Sequence, residues 1–439
     1  MFEEQKAIDQ NLYSCQLATF GLETQEKLIK MTVFIRGLRG LGIEIAKNLI
    51  LLGPNSIVLH DNSLVELHDL SSNFYLNEQD VGKLSRCEAI IPQLKDLNPY
   101  INVSPYTGEI TNQFLKQFDV AVFTDFFDLN KLFEFNEFCR SQVKPIGFIL
   151  AGSLGLYGFT FVDFGNFKVL DKKGEELLTK YVKNISKGEK GVVKVYDEHN
   201  HNNNFPKFNT GDKVTFSNVQ GMEEINGKIF EIKVLTDESF YIGDTTKFSD
   251  YKGQGIVFQA KTCEDIQFKK LETSLLTPNL EKNITLENTK YLDQLHLTLN
   301  GLFHYYKTHS ALPNLNQEND AEELVHIVKL INEQNKKNMD NEGLIKLEII
   351  DEKLVKNVAY FARAQISPCT SFWGAIVAQE VIKFTGKYTP LNQWLHYDNF
   401  ESLPETKVDR TLTNNRYDDV IAIYGRELFK RLQTLKYFF

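Results

Sequence analysis

The chain has 439 residues, 42% apolar and 24% charged, with a net charge of −9. That length supports two to four domains with their own cores, the composition is that of a globular protein, and the acidic balance argues against nucleic acid as a main partner. No apolar run approaches the roughly 20 residues needed to span a bilayer, and the polar start MFEEQKAIDQ is no secretory signal. Five scattered cysteines (15, 87, 139, 263 and 369) without a CxxC pair argue against a zinc or disulfide framework and for a reducing compartment. Cytoplasmic and nuclear residence is therefore expected, with no membrane partner.

In chain order, residues 11–21 open a helix that leads into a strand at 31–35. The first 165 residues then alternate β-rich runs with helical patterns, as in a parallel sheet with crossover helices. Strands are predicted at 32–35, 56–59, 103–106, 120–123 and 147–150, and helices at 43–52 and 83–97. Near 175 the pattern changes. Short alternating stretches at 213–216, 230–234 and 240–242, separated by turn residues, predict a small antiparallel module. The run HNHNNN at 199–204 reads as a solvated loop tip, since no third metal ligand lies nearby. From 275 to 350 the period is helical. Leu292, Leu295, Leu299, Leu302, Phe303 and Tyr306 form one apolar face. Leu324, Ile327, Val328 and Ile331 form another, opened by Asp320 and Glu323 in capping-box spacing. After 355 the α/β pattern resumes, with a helix at 370–384 and a strand at 393–397.

The end of the chain repeats its beginning. Asn11-Leu-Tyr13-Ser-Cys15-Gln aligns with Asn415-Arg-Tyr417-Asp-Asp419-Val, and Glu23 with Glu427, Leu28 with Leu432 and Phe34 with Phe438 keep the register. A fold that restarts in this way is expected to be one half of a two-copy protein.

The sharpest local motif is Gly37-Leu-Arg-Gly40-Leu-Gly42 between a strand and a helix. Such glycines permit a tight turn, close backbone approach and helix–strand packing, and the helix N-terminus offers N–H groups to an anion. Asp61 ends the next strand, where a carboxylate can reach a ribose hydroxyl. Gly37, Gly40, Gly42 and Asp61 are thus the candidate cofactor-binding residues. The GxxGxG spacing departs from GxGxxG and disfavours the rival reading, a nicotinamide-dependent oxidoreductase.

Several stretches together resemble the amino-terminal half of ubiquitin-activating enzymes: GLRGLGIEIAKNLILLG, LHD, DLSSNFYL and VGK, then Phe216-Ser-Asn-Val-Gln-Gly-Met-Glu223, Phe248-Ser-Asp-Tyr251, Ala378-Gln-Glu-Val381, Gln393-Trp-Leu395 and Asn415-Arg-Tyr-Asp418. The resemblance implies an α/β fold: a Rossmann-like ThiF-type adenylation domain interrupted by a small antiparallel β module and a four-helix bundle. It divides the chain into an inactive adenylation domain (1–174 and 355–410), a first catalytic-cysteine half-domain (175–265), a four-helix bundle (266–354) and the start of a second, active adenylation domain (411–439). In the full enzyme the active half binds ATP and Mg and adenylates the ubiquitin C-terminus. A cysteine in a later domain then takes the ubiquitin as a thioester for a conjugating enzyme. The implied partners are ubiquitin, a conjugating enzyme, and an active adenylation domain in cis or on a separate catalytic subunit. In the latter case the chain is a stand-alone pseudoenzyme subunit of a heterodimeric activating enzyme.

The family pattern also marks absences. Active members carry an arginine where this chain has Ser72, and a lysine where it has Ser85; Lys83, two positions earlier, is expected to point away. Without those cations the loop site is expected to be vestigial, its glycines kept for packing, and the chain inactive on its own. The family's inactive half reaches into the partner's ATP site with an arginine from a Y-x-R-Q stretch. Here that position is Cys15, which removes a group that contributes on the order of 10³–10⁵ in rate in related phosphoryl-transfer chemistry unless Arg36 or Arg39 compensates. No cysteine is expected to be catalytic: Cys369 only superficially matches the family's active-site stretch, and Cys87 and Cys139 read as structural. The module around 219–221 and 248–251 is the expected ubiquitin-facing surface, with Phe216, Phe248 and Tyr251 individually expected in its core.

Overall fold

Val33, Phe34 and Ile35 are fully buried, so this strand lies inside a sheet covered on both faces, which is why it reads as a continuous apolar run. The computed structural model describes residues 11–126, 128–172, 174, 177–196, 207–261, 263–281, 289–338 and 341–436. They fall into two compact units, one of residues 1–167, 266–385 and 390–439 and the other of residues 168–265 with 386–389.

The first unit is built on β1 (Thr32–Arg36), β2 (Ser56–His60), β3 (Asn102–Pro105), β4 (Val120–Phe123), β5 (Gly147–Leu154), β6 (Tyr157–Asp163) and β7 (Trp394–Asp398). Their order across the sheet is β7-β6-β5-β4-β1-β2-β3. The five strands from β1 to β5 are mutually parallel, but β6 pairs antiparallel with β5 and with β7. The expected parallel sheet is therefore mixed. β5 and β6 are joined by only Gly155 and Leu156, and Gly155 takes φ +62, the geometry of a tight hairpin.

Helix Gly40–Leu52 follows β1 and packs against helix Ser367–Lys383, where a side chain on Gly374 would lie 2.6 Å from Glu44 Cβ. The helix expected from 83 begins at Arg86, because Ser85 caps it: Ser85 Oγ accepts from Glu88 N–H at 3.2 Å and the Glu88 carboxylate accepts from Ser85 N–H at 3.1 Å. Helices Leu271–Leu276, Thr289–His309, Glu318–Lys337 and Glu352–Phe361 share one continuous apolar core with the sheet. Trp394 Nε1–H of β7 donates to Ser274 Oγ at 2.9 Å, which ties that core to the strand. Asp320 does not open its helix, which starts at Glu318; its carboxylate instead accepts from Asn314 N–H at 2.7 Å in the preceding loop.

In the second unit, strands Thr179–Ile185, Val192–Tyr196, Lys213–Ser217, Ile229–Glu231, Lys233–Thr236, Ser239–Tyr241 and Ile256–Gln259 form one sheet. Ile229–Glu231 is one edge of its order and Lys233–Thr236 the other. Only Ile232 separates them in sequence, so the chain passes from one edge of the sheet to the other through a single residue. The expected strand at 230–234 is thus two strands bent at Ile232. Val182, Val193, Val214, Phe216, Phe240 and Val257 fill the interior. The stretch 199–204 lies outside the described residues.

Candidate functional site

The loop from β1 into helix Gly40–Leu52 brings Gly37, Gly40 and Gly42 together, each for a separate steric reason. Gly37 sits at φ +88, in the left-handed region that favours glycine, and a Cβ there would lie 2.5 Å from Asp125 Oδ2. A Cβ on Gly40 would lie 2.2 Å from Ser72 Oγ, and one on Gly42 would lie 1.8 Å from the Gly37 carbonyl oxygen. At Gly40 the chain's own Ser72 and Thr370 pack close against the helix start, leaving no room for a side chain there.

The N–H groups of the loop also have internal partners. Asp61 is buried; its Oδ2 accepts from Leu38 N–H at 2.9 Å and its Oδ1 from Ser63 N–H at 3.0 Å. Gly37 N–H donates to the His60 carbonyl at 3.0 Å. At the helix N-terminus, Leu41 N–H donates to Gln365 Oε1 at 3.4 Å. Asp61 thus turns towards the loop backbone and holds the turn shut.

Ser72 and Ser85 are buried at the positions noted above and Lys83 is exposed, but Arg36, Arg39 and Arg86 surround the loop. Arg86 is buried, with Nε 2.6 Å from Asp69 Oδ2 and Nη1 3.6 Å from Asp61 Oδ2. Arg39 Nε lies 3.3 Å from Asp69 Oδ1, and its Nη2 donates to the Arg363 carbonyl at 2.9 Å. Burial alone would push the Asp69 carboxyl up, but Arg86 and Arg39 outweigh it and hold it below the usual range. Burial, then Asp61, push the Asp125 carboxyl up against the pull of Arg36, Arg39 and Arg86. Asp419, from the far end of the chain, completes the cluster: its Oδ2 accepts from Gln365 N–H at 2.8 Å, and burial pushes its carboxyl up to about 6. Four carboxylates therefore face three guanidinium groups. A polyanion entering this site would have to compete with Asp69 and Asp61 for Arg86 and with Asp69 for Arg39.

Arg86, Asp69, Gln365 and Asp419 were not singled out from the sequence. Arg86 follows Ser85 directly and carried a signal in its position. Gln365 and Asp419 reach the loop only through the tertiary fold.

The sequence repeat is also a structural repeat. Helices Ser14–Phe20 and Leu22–Leu28 flank Gly21 at φ 79, ψ 165, and Asp418–Tyr424 and Arg426–Thr434 flank Gly425 at φ 85, ψ 164. Their burial is complementary. In the first copy the opening helix buries nothing while Leu28 and Met31 are 0% and 5% exposed. In the second copy Asp419, Ile421, Ala422 and Ile423 are buried, whereas Leu432 and Leu435, equivalent to Leu28 and Met31, are 38% and 53% exposed.

Burial pushes the Cys87, Cys139 and Cys369 thiols up to about 11, 12 and 11, and Cys15 is exposed. Among the described residues no group of His, Cys, Asp and Glu could hold a metal ion, and no helix is long and apolar enough to cross a membrane. In the second unit, Phe216, Val219 and Met222 are interior, while Phe248 and Tyr251 are half-buried against the same core.

A model of the ThiF family matches residues 13–416. Over 441 aligned residues, 98% of this chain and 40% of the relative, the chain is 40% identical to ubiquitin-like modifier-activating enzyme 1 of Oryctolagus cuniculus and, at the same coverage, 40% identical to that of Homo sapiens. It is 38% identical to ubiquitin-activating enzyme E1 1 of Arabidopsis thaliana over 98% of the chain and 39% of the relative. The chain spans about two fifths of the length of these curated relatives. With the α/β sheet, the glycine loop and the family match on one set of residues, the chain belongs to the ThiF family, similar within it to ubiquitin-activating enzymes.

Proposed function

We propose that this chain is the amino-terminal, scaffold portion of a ubiquitin-activating enzyme and that its own glycine-loop site is non-catalytic. The observation that carries this reading is that donors of the loop and the nearby arginine already have internal partners. The Leu38 and Leu41 N–H groups are already bonded to Asp61 and Gln365, and Arg86 is paired with Asp69 and Asp61. Transfer of an adenylyl group needs preorganised positive charge around the phosphates, and these residues do not fit that group. ATP and Mg therefore belong to a second adenylation domain, in cis or on a partner chain.

The complementary burial of the two repeats supports that second domain. Each opening helix is suited to lie on the other repeat's domain and each following helix on its own. The apolar Leu432 and Leu435 and the exposed helix Ser14–Phe20 are then the surfaces the second domain covers. Ubiquitin and a conjugating enzyme are the partners of the assembled enzyme.

The test is ubiquitin-dependent ATP–pyrophosphate exchange by the 439-residue chain. The reading predicts no exchange above a protein-free blank; clear exchange would overturn it.

A further inference from the structure

We propose that the glycine-loop site serves as a socket for the opening helix of the second repeat, and that Asp419 is the positioning residue that seats it. The proposal rests on the reading of that site as non-catalytic.

Helix Asp418–Tyr424 is short, and its hold on the rest of the unit is divided between apolar and polar contacts. Ile423 joins a small buried cluster with Leu156, Phe361, Ala364 and Ile366. Apolar contact of this kind holds a helix down but fixes its rotation weakly, because it has no direction. Direction comes from the polar contacts. Asp419 Oδ2 accepts from Gln365 N–H at 2.8 Å while the side chain of that same Gln365 caps Leu41 at the start of the glycine-loop helix. Asn316 Nδ2 donates to the Ala422 carbonyl at 3.2 Å, and Arg416 Nη2 donates to the Leu70 carbonyl at 2.8 Å. Asp418 and Tyr424 of the same helix bond Thr413 and Ser402 instead, so Asp419 is the helix side chain that reaches Gln365. Leu70 belongs to the turn that also carries Asp69, the partner of Arg39 and Arg86. The helix is thus tied through Gln365 to the start of the glycine-loop helix and through Leu70 to the turn that holds Arg39 and Arg86.

Sequence position reinforces the assignment. Asp419 is the repeat equivalent of Cys15, yet Cys15 is exposed and Asp419 is 1% exposed. A buried carboxyl without a partner is costly, so its hydrogen bond to Gln365 N–H is what makes an aspartate tolerable there. Burial outweighs Arg39 at this position. A neutral amide that can still accept from Gln365 N–H should therefore replace it, whereas a methyl group should not.

Hydrogen exchange read by mass spectrometry on the intact chain tests the proposal. Asp419→Ala should speed exchange in peptides covering 415–425 on the order of tenfold, leaving peptides from β5 and β6 unchanged. Asp419→Asn should stay within about twofold of the parent chain. Unchanged exchange in the alanine variant would overturn the proposal, as would an asparagine variant as fast as the alanine one. Acceleration spread equally over β5 and β6 would also overturn it, because Asp419 would then be holding the fold rather than seating a helix. None of these readouts involves ATP, so failure here is separable from failure of the exchange assay.

Discussion

His296 and His396 lie side by side in the core, and their protonation is dictated by a backbone carbonyl. His296 Nε2 is 2.8 Å from the Leu275 carbonyl, which can only accept, so Nε2 carries the hydrogen. His296 Nδ1 then accepts from His396 Nε2–H at 3.0 Å, and His396 Nδ1 accepts from the Tyr157 hydroxyl at 2.9 Å. Every member is satisfied, and only while both rings are neutral. Burial pushes His296 down to about 4 and His396 well below its ordinary value, the latter also through His296. Unfolded histidine titrates near 6.5, so below that pH the unfolded chain binds protons that the folded chain refuses. The stabilisation is complete above about pH 6.5 and is lost as pH falls towards 4, by on the order of 3 kcal/mol for His296 alone. His296→Phe should flatten the fall in urea midpoint between pH 7 and 5; a slope equal to that of the parent would rule out this network as its source. None of it was legible in sequence, where these are two lone histidines 100 positions apart.

At the scale of elements, the legible parts were those whose pattern is local. β1 and β4 sit within a residue of their predicted ends because each is a short apolar run bounded by turns. The start of helix Arg86–Leu97 was misjudged by three residues, although Ser85 and Glu88 spell its cap. Asp320 and Glu323 have the same spacing and form no cap, since Asp320 is used by the loop before the helix. β6 was missed because YGFTFVD is buried on both faces and so shows no alternation. The loop glycines were legible as a motif, but their reasons are steric: Gly42 lies against the Gly37 carbonyl, a backbone atom that cannot swing aside. Gly42→Ala should therefore destabilise the chain by about 2 kcal/mol or more in urea unfolding. A loss within about 0.5 kcal/mol, the range of surface substitutions, would mean that the loop can open to accept a side chain.

At the scale of the whole molecule, the sequence repeat is matched by a repeat in structure, with opposite halves of each copy buried. The sequence disclosed the glycine loop and Asp61 and the absence of an arginine at 72 and a lysine at 85. It did not disclose that Arg86 stands beside the loop, or that Gln365 and Asp419 arrive from more than 300 positions away to close it. A site can thus keep its motif in sequence while its donors are consumed in three dimensions. The central claim, that this glycine loop is closed to nucleotide, is tested most directly by calorimetric titration of the intact chain with ATP and Mg. The account predicts no saturable heat at millimolar nucleotide. Saturable one-to-one binding in the micromolar range would contradict it.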